Sequence, residues 1–113
     1  MKSRFANRNM KQSGSGAVAE EFEVHITDEG RSGSVEYREG GLSLLLWWEF
    51  TMDGAWIWAP DSSQWDEHWR ARGVMGAVGR RNEILERVAS ETKRKRAESA
   101  RTEVCSDGVH LKF

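Results

Sequence analysis

Leu42–Pro60, LSLLLWWEFTMDGAWIWAP, constrains this chain more than any other stretch, because it holds four of the six tryptophans and a turn signal in its middle. Asp53-Gly54 suits a two-residue type I′ turn, which needs positive φ at both central positions. That turn predicts a β-hairpin in which Met52 pairs with Ala55, Thr51 with Trp56, Phe50 with Ile57 and Glu49 with Trp58. Directly paired residues share a face. One face then carries Leu42, Leu44, Leu46, Trp48 and Phe50 with Ile57. The other carries Ser43, Leu45, Trp47, Glu49 and Thr51 with Trp56 and Trp58. A slip of one residue would exchange the two sets.

A hairpin that is apolar on both sides needs two covers. With 113 residues the chain forms one domain, and few elements remain to supply them. Glu20–Thr27 alternates, with Phe22, Val24 and Ile26 on one side, and reads as a half-buried strand. Ser34–Glu39 reads as a second strand after the turn cluster Asp28–Gly33. After Pro60, Asp61 is placed to cap a short helix, with Gln64 as the reciprocal capping residue, Trp65 and Trp69 on one face and Gly73 as its stop. A long helix is predicted from Arg80 to about Arg101, with Ile84, Leu85, Val88, Ala89 and Thr92 as its apolar stripe. Val109, Leu111 and Phe113 alternate with His110 and Lys112 in a last strand, entered through Asp107-Gly108.

The expected fold is α+β: a mainly antiparallel sheet of four or five strands with two helices of the C-terminal half packed on it, in the order ββββααβ. The last strand is expected beside Glu20–Thr27 or at the hairpin edge. Residues 1–18 are expected to be a disordered basic tail, because their composition cannot offset the entropy of ordering. Residues 19–113 then form the single domain. The long helix covers one sheet face. The short helix either covers Trp47, Trp56 and Trp58 as a second core layer or leaves them open as an interface.

Charge is unevenly spread although the net is −1. Residues 1–19 carry four bases and no acid, residues 20–79 twelve acids and four bases, and residues 80–101 eight bases and four acids. No stretch approaches the roughly 20 apolar residues of a membrane helix, and no apolar run follows the basic N-terminus. The single cysteine, Cys105, forms no internal disulfide, which suits a reducing compartment and points to the cytoplasm. No membrane association is expected.

Chemistry-bearing residues are few and scattered. His25 and His110 fall on the polar sides of two strands, and nothing in their spacing makes a metal site. Asp66-Glu67-His68 are adjacent on a helix, where neighbours point in different directions. Gly76-Ala77-Val78-Gly79-Arg80-Arg81 puts two arginines at a helix start, which makes Arg80 and Arg81 the candidate anion-binding residues; the loop matches neither the P-loop nor the dinucleotide pattern. Lys93-Arg94-Lys95-Arg96 spreads over about 300° of a helix and makes no single basic stripe. Cys105 has no basic neighbour that would make it a reactive thiolate.

These residues predict no catalytic centre, metal or cofactor. The expected function is a small non-catalytic protein–protein interaction domain, self-associating as a homodimer or binding another protein, with Leu45, Trp47, Trp56 and Trp58 as its interface. The alternative is a nucleic-acid-binding accessory protein using the tail, Arg80, Arg81 and Lys93–Arg96. A small enzyme built on the Gly76–Arg81 loop and His68 is the third class.

Overall fold

The computed structural model describes residues 21–113, and the tail expectation for residues 1–18 lies outside them. Strands β1 (Glu23–Ile26), β2 (Ser32–Glu39), β3 (Leu42–Thr51) and β4 (Gly54–Trp58) are followed by helix α1 (Trp65–Ala71), a 3₁₀ turn (Met75–Ala77) and helix α2 (Arg81–Arg96). Strands β5 (Arg101–Cys105) and β6 (Gly108–Lys112) complete one antiparallel sheet in the order β1-β2-β3-β4-β6-β5. The fold is α+β, with both helices in the C-terminal half, as the residue pattern predicts. The closing strand lies at the hairpin edge, beside β4.

The sheet has six strands because the long helix stops at Arg96, short of Arg101. Lys93 Nζ donates to the carbonyls of Glu98 and Ala100, which holds the chain in a turn just past the helix. The freed Thr102 and Val104 are β-branched, and Val104 pairs with Val109 on the inner side of a β5–β6 hairpin.

The central hairpin turns one residue earlier than its Asp-Gly signal implies. Thr51 pairs with Gly54, so Met52 and Asp53 are the two loop residues, and neither has positive φ. Asp53 accepts a hydrogen bond from Thr51 Oγ1 at 3.0 Å, and its carbonyl accepts one from Phe113 N at 3.0 Å. Gly54 answers to a different need: a Cβ there would collide with the Leu111 carbonyl oxygen of β6. The pairing is displaced from the expected one by two residues, the strand period, so every side chain stays on its predicted face.

The core lies on one side of the sheet. Val24, Tyr37, Leu44, Leu46, Trp48, Ile57 and Leu111 meet Ile84, Leu85, Val88 and Ala89 of α2. Trp65 and Trp69 of α1 enter the same cluster, edge to face at 5.5 Å. Asp61 caps the turn that leads into α1, accepting from the backbone amides of Ser63 and Gln64. Gly73 ends it at φ 76°, with Val74 N bonded to Trp69 O as in a Schellman turn. Trp65 Nε1 donates to Ala77 O at 2.7 Å, and Asp66 accepts from Gly79 N at 2.7 Å. These two bonds tie the start of α1 to the approach of α2, so both helices stay on the same face.

Candidate functional site: the open sheet face

Because α1 and α2 share one side, no helix among the described residues lies over the other side of the six strands. The pairing registers place rows of side chains across this face. One row runs Ser34, Trp47, Trp58, Gly108, Cys105; the next runs Ser32, Glu49, Trp56, His110, Glu103. Leu45 sits beside Glu36 in the row before them. All four residues expected as an interface therefore fall on one continuous patch. Leu45 is 64 % exposed, Trp47 45 % and Trp58 39 %, while Trp56 is half-buried.

The half-burial of Trp56 comes from its neighbours on the face, not from a helix. Its indole stacks on Trp58 at 5.3 Å and 13° and on His110 at 4.4 Å and 4°. Stacked rings of this kind are preorganised, since each holds the other's orientation. Trp58 Nε1 donates to Glu49 Oε1 at 3.1 Å, which fixes the second indole. His110 is the part of the patch that residue reasoning did not identify. Alternation already put it on the polar side of the last strand, but only the β4–β6 register brings it against Trp56. Its Nε2 is buried, with the Asp53 carboxylate 3.5 Å away.

A corner of the face with two acids and one base lies diagonal to a corner with two bases. Glu23 and Glu36 lie at one end of β1–β2, with Arg38 paired to Glu36 at 3.0 Å. Lys112 and Arg101 pair with each other at the far end of β6–β5, in the row of Thr51. The Glu36 carboxyl is held below the usual glutamate range by Arg38 and then by the Ser43 hydroxyl.

The other candidates are engaged elsewhere. Arg80 donates to Glu39, Glu83 and the Gly76 carbonyl. Arg81 donates to the carbonyls of Pro60, Cys105 and Ser106, clamping two loops together. In the basic run, Lys95 Nζ donates to Val24 O at 2.6 Å and Arg96 to Ile26 O at 3.2 Å. Both carbonyls belong to β1, an edge of the sheet, so the two side chains blunt an edge open to strand pairing. Arg94 pairs with Glu91. Burial pushes the Cys105 thiol up, with Glu103 and Asp107 adding to the effect. His25 bonds Glu23 on β1, and His68 lies edge-on to Trp69 on the covered side. Among the described residues no group of three or more His, Cys, Asp or Glu side chains is placed to hold a metal ion, and no helix is long and apolar enough to cross a membrane.

No family model, no curated protein and no solved structure matches the chain.

Proposed function

We propose that this protein is a non-catalytic interaction domain that forms a homodimer through the open face of its sheet. The observation that supports this reading is the exposure of Leu45, Trp47 and Trp58 beside a preorganised Trp56–His110 stack. Soluble monomers rarely leave a contiguous apolar patch of this kind uncovered, and tryptophan is the residue most enriched at binding hot spots. A second copy suits the charge layout. The tryptophans lie on β3 and β4, the two central strands. A two-fold axis through them can set each copy's Glu23–Glu36 corner against the partner's Arg101–Lys112 corner, with the sheets crossing steeply. Nucleic acid suits the face less well: Glu23, Glu36, Glu49 and Glu103 outnumber Arg38, Arg101 and Lys112, and a phosphate backbone asks for the reverse.

Light scattering coupled to size exclusion tests the reading. The wild type is expected at twice the chain mass at micromolar concentration, and the Trp47→Ala/Trp58→Ala variant at the chain mass with an unchanged circular dichroism spectrum. A wild type that stays monomeric at the highest attainable concentration refutes the homodimer. Salt-sensitive retention of a single-stranded oligonucleotide by the wild type, lost in the double variant, would move the face to the nucleic-acid reading.

A further inference from the structure

The covered side of the sheet contains a cavity that core packing does not require. It lies between β3, β4, β6 and the C-terminal end of α2, with a volume of about 140 Å³. Its inner wall is built from Val35, Trp48, Ile57 and Leu111, all buried, and from Thr92, whose buried hydroxyl has no hydrogen-bond partner. The Trp48 indole N–H is already engaged, donating to Thr27 O at 2.8 Å. The exposed lining residues mark its mouth: the Phe50 and Phe113 rings, 6.4 Å apart and edge to face, and the Asp28–Arg96 pair at 3.6 Å.

We infer that this cavity is a binding site for a small, neutral, single-ring aromatic molecule bearing one hydroxyl group. The volume sets the size, since an apolar cavity of about 150 Å³ takes up benzene. The wall sets the character of the buried part, because apart from the Thr92 hydroxyl, buried without a hydrogen-bond partner, it offers only apolar surface to a bound group. The mouth sets the head group. A carboxylate there would gain Arg96 and be repelled by Asp28, and an ammonium would meet the reverse. A neutral hydroxyl can donate to Asp28 and accept from Arg96 at once. Arg96 is positioned for this because its other guanidinium nitrogen is held on the Ile26 carbonyl. The site opens away from the tryptophan face, so it does not depend on the homodimer.

Phenol, benzoate and benzylamine titrated into the isotope-labelled full chain, followed by methyl NMR, test the site. Phenol should give saturable shifts at the Val35, Ile57 and Leu111 methyls and intermolecular NOEs to them. Benzoate and benzylamine should bind at least about tenfold more weakly. Ala55→Leu fills the cavity from the sheet and Ala97→Leu from the helix end; each should weaken phenol at least about tenfold, the scale on which one misfitting methylene is felt. Equal binding of the charged analogues, affinity retained in both filled variants, or shifts mapping to the Leu45 methyls of the open face would each overturn the assignment. Absence of saturable wild-type shifts up to the solubility limit of phenol would do so without any variant.

Discussion

Strand β3 builds two surfaces from nearly the same residue types. Leu44, Leu46 and Trp48 are buried against the helices, whereas Leu45 and Trp47, each one residue away, are among the most exposed apolar side chains of the described residues. Hydrophobicity therefore does not decide burial along this strand; the path of the chain after β4 does. The Trp65–Ala77 and Asp66–Gly79 bonds hold α1 next to α2, and that short tether keeps α1 from crossing to the tryptophan side. The covered face is closed by local connections, and no described element lies over the open face.

Trp65 offers the largest test of this contrast. It is buried and bonded through its indole to the Ala77 carbonyl. Trp65→Ala should cost about 3–5 kcal/mol by urea denaturation, from the lost side chain, the cavity and the stranded carbonyl. That is a large share of the roughly 5–15 kcal/mol that holds an ordinary domain together. A small loss at Trp65 would mean that α1 does not close the core.

Gly33 gives the next largest effect. It sits on β2 opposite Trp48, on the covered face. A Cβ at this position would run into the Thr27 carbonyl oxygen and lie 2.8 Å from Trp48 Nε1, the two atoms joined by the Trp48–Thr27 hydrogen bond. Gly33→Ala should approach the upper end of the about 1–3 kcal/mol that overpacking costs, since the obstructing atom is backbone. A Gly33→Ala/Trp48→Phe pair should recover little of that loss in a double-mutant cycle, since the Thr27 carbonyl stays in place, and a large recovery would move the cost to the indole.

Glu39 joins the sheet to α2. Its side chain is 11 % exposed and lies 2.7 Å from Arg80 and 3.0 Å from Arg87, with the Tyr37 hydroxyl donating to it as well. Arg80 first, then the Tyr37 hydroxyl, hold its carboxyl below the ordinary value of 4.5. A carboxyl lowered on folding stabilises the native state above its unfolded pKa, and that stabilisation is lost as pH falls through the folded value. Glu39→Gln should therefore cost about 2 kcal/mol near pH 7, where it leaves two half-buried guanidinium groups short of a charged acceptor. As pH falls below the ordinary value of 4.5 the gap between wild type and variant should narrow and close once pH passes the lowered folded value, and a gap of constant size from pH 7 downwards would contradict the ionic origin.

Much of this molecule was legible in its residues, and the parts that were not share a cause. The alternation of Leu42–Phe50 placed every β3 side chain on its observed face even though the turn was misplaced, because the error equalled one strand period. Gly54 misled because a glycine beside Asp reads as turn chemistry, whereas here it makes room for the neighbouring β6 carbonyl, a contact some 57 residues away in the chain. The same distance hid the Trp56–His110 stack and the use of Lys95 and Arg96 as caps on β1. Local pattern predicts which way a side chain points; only strand order says what it meets. Arg101–Cys105 carries no strand signal of its own, since the charged run up to Arg101 reads as helix, and only the Lys93 bonds beyond Arg96 mark the break.

The open face is itself uneven, and that sets the smallest predictions. Trp56 stacks on two rings, and each aromatic pair contributes about 0.5–1.5 kcal/mol beyond its area. Trp56→Ala should therefore destabilise the monomer by about 1–3 kcal/mol, measured at a protein concentration low enough to keep it monomeric. Trp47 is on the same face, yet among the described residues its ring stacks on no other, and 45 % of its surface faces solvent. Trp47→Ala should change monomer stability by less than about 0.5 kcal/mol, the range of an ordinary surface site. Its association should nonetheless weaken. A tryptophan that contributes little to its own fold and much to self-association is what separates an interface from a core layer, so a Trp47→Ala loss near that of Trp65→Ala would dissolve the distinction between the two faces.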